Sequence, residues 1–229
     1  MNYQNKIDDV STLGHELGHA MHSHLNMQAN NKVYFGYSTF SAEIASTANE
    51  VFLDEYLLDK YRDNDDMRMY ILGTRLESIR GTIFRQTLFT EFELEIHRAA
   101  ERGIPITAEL LNKTYLNLTK KYYGPGFTVD RDDEVEWAFI PHFYYKYYVF
   151  SYATGLSSGI AIAEKIKKDG VKARDSYLAM LKEPSTAQPV EILKKAGVDM
   201  TKPDAIESAI KMMDRTIDDI EAILARKKP

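Results

Sequence analysis

Ile71, Leu72, Leu76, Ile79, Ile83, Leu88 and Phe92 line one side of the stretch 66–101 when it is wound as an α-helix. No ordinary strand is that long, and a period near 3.6 excludes the two-residue alternation of a half-buried sheet. Similar periods run through most of the chain. They predict helices over 6–27, 41–61, 107–123 and 142–168, the last with Gly155 and Gly159 as weak points. "QANNKVYFGYST" (28–39), "GIP" (103–105) and "GPGFTVDRDDE" (124–134) break the pattern, with a short strand at Phe127–Val129 as the one β candidate. The last helix announces itself: Thr201, Pro203 and Asp204 form a start signature, and Ile206, Ile210, Met213, Ile217, Ile220 and Leu224 follow as a packing stripe. The fold class is mostly α, with little or no β structure.

At 229 residues the chain can bury a substantial core, and 44% hydrophobic with 28% charged residues is an ordinary globular mixture. The net charge of −5, with scattered rather than clustered basic residues, argues against a nucleic-acid partner. The absence of cysteine removes disulfides and thiolate metal sites, and fits a cytoplasmic location. No apolar run is long enough to span a membrane, and "MNYQNKIDDV" is unlike a signal peptide.

Against this background "TLGHELGHAMHSH" (12–24) stands out, since it holds four of the six histidines. His15 and His19 are four residues apart. That is about 400° of helix rotation and about 6 Å of rise, so both rings leave one face and can converge on one cation. Glu16 lies about 100° further round. There it can reach a water on that cation without being a ligand, which is the H-E-x-x-H arrangement with the glutamate as general base. Gly18 costs helix stability and implies a close approach by something. A catalytic zinc of this type has three protein ligands. His22, about 10.5 Å along the axis from His15, cannot join both rings from one straight helix, and is expected behind the ligands or on the substrate side. His24 reads as a surface histidine. Glu43, in "SAEIASTANE", is the better third ligand. It follows across a loop on a helix made narrow by Ala42, Ala45, Ser46 and Ala48. Glu50 either orients a ligating imidazole through its other nitrogen or is a solvated helix glutamate.

"PHFYYKYYVFSY" (141–152) places His142, Tyr145 and Tyr148 at three-residue spacing, with Tyr152 four further on, so the start of a helix can present them together. Tyr144 and Tyr147 read as aromatic core, and His97 as structural.

The three motifs in order, "TLGHELGHAMHS", "SAEIASTANE" and "IPHFYYKYYVFSYATGLSSG", resemble the oligoendopeptidase F branch of the thimet-oligopeptidase-like zinc peptidases. The resemblance runs over nearly the whole chain. It implies a zincin-like helical catalytic domain, zinc (Zn2+) held by His15, His19 and Glu43, and Glu16 as base. It also implies that His142, Tyr145 and Tyr148 act on a bound oligopeptide, polarising the scissile carbonyl. Family members are several hundred residues long, with H-E-x-x-H past the midpoint. Residues 1–229 are therefore expected to be a C-terminal catalytic region of a longer chain, self-associating through the face its other half covers. The alternative is a zinc-binding helical fragment or assembly module without turnover.

Overall fold

The computed structural model describes residues 3, 4 and 6–227, and no strand occurs among the described residues. The α-helices are α1 (Ile7–Ala29), α2 (Thr39–Lys60), α3 (Asp65–Ile79), α4 (Arg85–Glu101), α5 (Ala108–Tyr123), α6 (Phe150–Asp169), α7 (Val171–Met180), α8 (Pro189–Lys195) and α9 (Asp204–Lys227). Residues 124–130, including the expected strand at Phe127–Val129, are turn and irregular chain, because an isolated strand has no ladder partner. Met1, at which the expected catalytic region begins, lies outside the described residues. The chain forms two compact units, Met1–Ile79 with Thr154–Pro229, and Arg80–Ala153.

In the first unit, α2 is gripped at backbone distance on two faces. A Cβ on Gly18 of α1 would lie 2.5 Å from Ser46 Cα and 2.6 Å from the Ala45 oxygen, which accounts for glycine inside α1. The side-chain amide of Asn49 donates to the Gly14 carbonyl of the same helix (2.6 Å). On α2's other face, a Cβ on Gly155 would meet Glu43 Cβ at 2.6 Å, and one on Gly159 would meet the Ala48 nitrogen at 2.7 Å. Both glycines are contact points within a continuous α6 rather than weak points in it. Ala45, Ser46 and Ala48 are completely buried. Around them Ile44, Ile162, Tyr177, Leu181 and Leu193 build the apolar core. The loop between α1 and α2 is held by buried Asn26, which donates to the Glu183 carbonyl and accepts from the Gly36 amide.

The terminal helix differs from expectation. Its inward face is Ala205, Ala209, Met212, Thr216 and Ile223. Ile206, Ile217 and Leu224 are exposed by 37–47%. Ala205, Ala209 and Thr216 are at most 2% exposed, so the inward face is offset from the bulky stripe. The Thr201 hydroxyl donates back to Asp199 rather than capping the helix. Ion pairs from Arg226 to Asp65 and from Lys227 to Asp66 tie the end of α9 to the start of α3.

In the second unit, Phe92 contacts Tyr115, Phe143 and Trp137 with ring centroids 5.2–6.4 Å apart, within a cluster that also buries Leu88, Phe89 and Val149. The expected single helix over 66–101 is broken by a π-helical turn, Arg80–Phe84. The wider turn accommodates the five-residue step from Ile83 to Leu88, both buried. The helix expected from His142 begins only at Phe150. Before it, Pro141–Tyr145 form a 3-10 turn, and Lys146 and Tyr147 take left-handed backbone angles (φ 53° and 52°). Phe143 and Val149 both belong to the apolar cluster. Six residues of continuous α-helix would set them about 120° from facing the same way.

The grip on α2 predicts opposite outcomes for two glycines. Gly18→Ala should lower stability by about 1–3 kcal/mol through overpacking, against alanine's helix preference of about 1 kcal/mol. Gly73→Ala, with nothing within 4 Å of the new methyl group on α3, should raise stability by about 0.5–1 kcal/mol. Calorimetric unfolding of both variants checks this. Shifts of the same sign would show that α1 and α2 are not in backbone contact.

Candidate metal centre

Helical spacing brings His15 and His19 together on α1, with Nε2 atoms 3.1 Å apart and rings edge to face. Glu43 reaches them from α2. Its Oε2 lies 3.3 Å from His15 Nε2 and 3.5 Å from His19 Nε2. From these three sides, a point equidistant from the three atoms lies about 1.9 Å from each, close to zinc–ligand distances of about 2.0–2.2 Å. The chemistry of the donors, two imidazoles and one carboxylate, is also that of a catalytic zinc with an open position. The residues fit the ion.

The close packing of α2 is what delivers Glu43. Gly155 leaves room for its Cβ, and Ser46 Oγ donates to its Oε2 (3.2 Å). Behind the ligands, Glu50 Oε1 is 2.5 Å from His15 Nδ1. A carboxylate can only accept there, so Nδ1 carries the hydrogen and Nε2 faces the centre. The spot favours positive charge. Burial opposes a proton on His15, but hydrogen bonds and charges from Glu43 and Glu50 outweigh it and raise the pKa to about 10. Burial also works against the Glu43 carboxylate, and the two histidines outweigh it, lowering its pKa to about 2.

The other candidates separate. Glu16 is exposed on α1, next to His15, and outside the converging group. His22 is buried and stacks on Tyr37 at 3.8 Å. Burial first, then the nearby His19 charge, pushes its pKa down to about 4, so it is neutral and adds no charge beside the ligands. His24 is exposed.

His142, Tyr145 and Tyr148 lie in the second unit as one cluster. The His142 ring is 6.0 Å from Tyr145, Tyr148 and Tyr152 alike. They come together through a turn, not along a helix face. Tyr144 and Tyr147 are not core: they are 88% and 38% exposed, and it is partly buried Phe143 that packs against the apolar cluster. Tyr147 packs on His97 (4.8 Å), and its amide donates to Glu93 Oε1 (2.6 Å). Nothing in the sequence reading singled out Glu93. Its flanks in "FTEFELEI" do not separate it from Glu91 and Glu95, which are far more exposed, so no local signal marks it as buried.

Residues 1–212 match the model of peptidase family M3. Oligopeptidase PepF of Bacillus subtilis (strain 168) is 47% identical over the full chain, and chromosomal oligoendopeptidase F of Lactococcus lactis subsp. cremoris is 43% identical over 99% of it. The chain spans 34% and 37% of those relatives' lengths. A crystal structure of oligoendopeptidase-F from Enterococcus faecium superposes with a TM-score of 0.84 at 43% identity, over 96% of this chain and 40% of that one. The helical fold, the three ordered motifs and these likenesses agree: the chain belongs to peptidase family M3, in its oligoendopeptidase F branch.

Proposed function

We propose that this chain carries the zinc site of an endopeptidase that hydrolyses short, unstructured peptides, with Glu16 as general base. The observation that carries the reading is the triangle of His15 Nε2, His19 Nε2 and Glu43 Oε2, backed by Glu50 on His15. Zinc bound there supplies Lewis-acid polarisation of the scissile carbonyl and a water of lowered pKa.

The chain's own residues divide the remaining work. Glu43, held ionised, sets the charge of the site, and Glu50 fixes the tautomer and tilt of His15. Glu16 sits beside the ligands but is not spent as one. It takes the proton of the attacking water and returns it to the leaving amine. His142, Tyr145 and Tyr148 hold the peptide and donate hydrogen bonds to the carbonyl oxygen as it gains negative charge.

Metal content tests the ligand set without any assay of turnover. The protein should retain one zinc per chain after dialysis. Glu43→Ala should lose it, and Glu50→Gln should weaken affinity by about 10–100-fold. Full occupancy at unchanged affinity in Glu43→Ala would sink the assignment.

Glu16→Gln should keep the zinc and lower hydrolysis of a quenched fluorescent peptide by at least about 10²-fold. Loss of zinc in that variant would show that Glu16 is a ligand. Chelator-sensitive turnover by the unaltered protein is the reference for this comparison.

Tyr148→Phe should lower kcat more than it raises KM, since a donor to developing charge acts mainly in the transition state. A change confined to KM would make Tyr148 a ground-state peptide contact.

A further inference from the structure

Glu93 is completely buried on α4 in the second unit, yet no catalytic assignment uses it. Its Oε1 accepts the Tyr147 amide, and its Oε2 is buried with no hydrogen-bond partner among the described residues. A buried carboxylate oxygen left unsatisfied is a net loss of stability, and an apolar side chain of similar size would avoid it. The site therefore keeps an acid that the fold alone would not select.

What Glu93 holds is specific. Lys146 and Tyr147 are successive non-glycine residues in the left-handed region, a conformation that persists only where its surroundings impose it. Phe143 and Val149 anchor the two ends of the turn in the apolar cluster. Between them the chain is exposed, with Tyr144 and Tyr145 pointing to solvent. One helical turn beyond Glu93, His97 packs its ring on that of Tyr147. So α4 grasps Tyr147 twice, by its amide and by its ring. The turn so fixed brings His142, Tyr145 and Tyr148 within 6.0–6.1 Å of one another.

We propose that Glu93 is a positioning residue: its hydrogen bond to the Tyr147 amide locks the 146–147 turn and thereby sets the arrangement in which His142, Tyr145 and Tyr148 meet a peptide substrate. The substrate part rests on the peptidase reading above. The acid acts through the turn and does not itself touch substrate. It also explains why the acid survives at a cost in stability: a rigid cluster is kept at the expense of a more comfortable core.

The test uses Glu93→Met, Glu93→Gln and the unaltered protein, all loaded with zinc. Hydrogen exchange of the segment 141–149 reads the lock directly. Met should speed exchange there by at least about 10-fold, while Gln, which keeps an acceptor oxygen, should preserve most of the protection. Tm should be unchanged or higher in the Met variant, and zinc content unchanged in both. With a quenched fluorescent peptide, Met should lower kcat by about 10–100-fold with a smaller change in KM, as misplacement of a catalytic group does, and Gln should recover most of it. Unchanged exchange at 141–149 in Glu93→Met overturns the lock. A fall in Tm that tracks the loss of kcat reduces Glu93 to a structural residue and overturns its positioning role. Absence of turnover in the zinc-loaded unaltered protein overturns the peptidase reading and the substrate role with it, while exchange still decides the lock separately.

Discussion

The backbone of α2 at Ala45 and Ser46 touches α1 at Gly18, and at Glu43 it meets α6 at Gly155. Helices usually pack about 8–10 Å apart, at a distance set by the side chains between them. With no side chain at these crossings, the separation is fixed by main-chain atoms, which do not change rotamer. The Cβ of Glu43 is therefore placed by main-chain contact, and its Oε2 lies 3.3 Å and 3.5 Å from the two imidazole Nε2 atoms. A metal centre needs firm placement, because ligand placement about 1 Å too loose is enough to lose it. Alanine or serine at residue 155 would move the ligand-bearing segment before it disturbed the core.

The same packing creates a site that calls for positive charge. Glu43 is 6% exposed and stays ionised because His15 and His19 face it. Glu50 adds a second carboxylate behind His15. Two acids and two imidazoles in one half-buried site favour positive charge, and a proton on His15 supplies it in the protein alone. A divalent ion at the convergence of the three donor atoms supplies more charge, at the cost of displacing that proton. His22, one turn further along α1, is buried and neutral, so it does not compete for the same role.

How much of this was legible in the sequence follows from how local each feature is. His15 and His19 pair through helix geometry alone, and Glu43 follows once a narrow second helix is recognised. Glycine inside "HELGH" already implied a close neighbour, though not that the neighbour was the ligand-bearing helix itself. The errors arose where tertiary packing decides. On α9 the largest apolar residues suggest the buried face, but Ala205 and Ala209 are buried while Ile206, Ile217 and Leu224 are exposed. The helix expected from His142 fails because Phe143 and Val149 both seek one apolar cluster, a demand invisible to a local pattern. The π turn at Arg80–Phe84 left only a faint trace, the five-residue step from Ile83 to Leu88. Glu93 left none that periodicity can read, because a buried acid breaks the pattern at one position.

The candidate metal ligands and the proposed aromatic donors also differ in how they are held. All three candidate ligands and Glu50 belong to the first unit, whose rigidity comes from helix backbones in contact. His142, Tyr145 and Tyr148 belong to the second, on a turn anchored by two apolar residues and one amide hydrogen bond. Ligands must stay put whether or not substrate is present, and helices serve that need. On the proposed reading, the second set receives a peptide and then releases its fragments, and such groups must tolerate small adjustments, which a turn permits and a helix does not. The two left-handed residues at 146 and 147 mark where that freedom is limited. A turn with no internal constraint would spread the cluster over many conformations, and one built into α6 would point Tyr145 and Tyr148 in directions fixed by the helix. The observed arrangement lies between these extremes, and a single buried acid on α4 accounts for the difference.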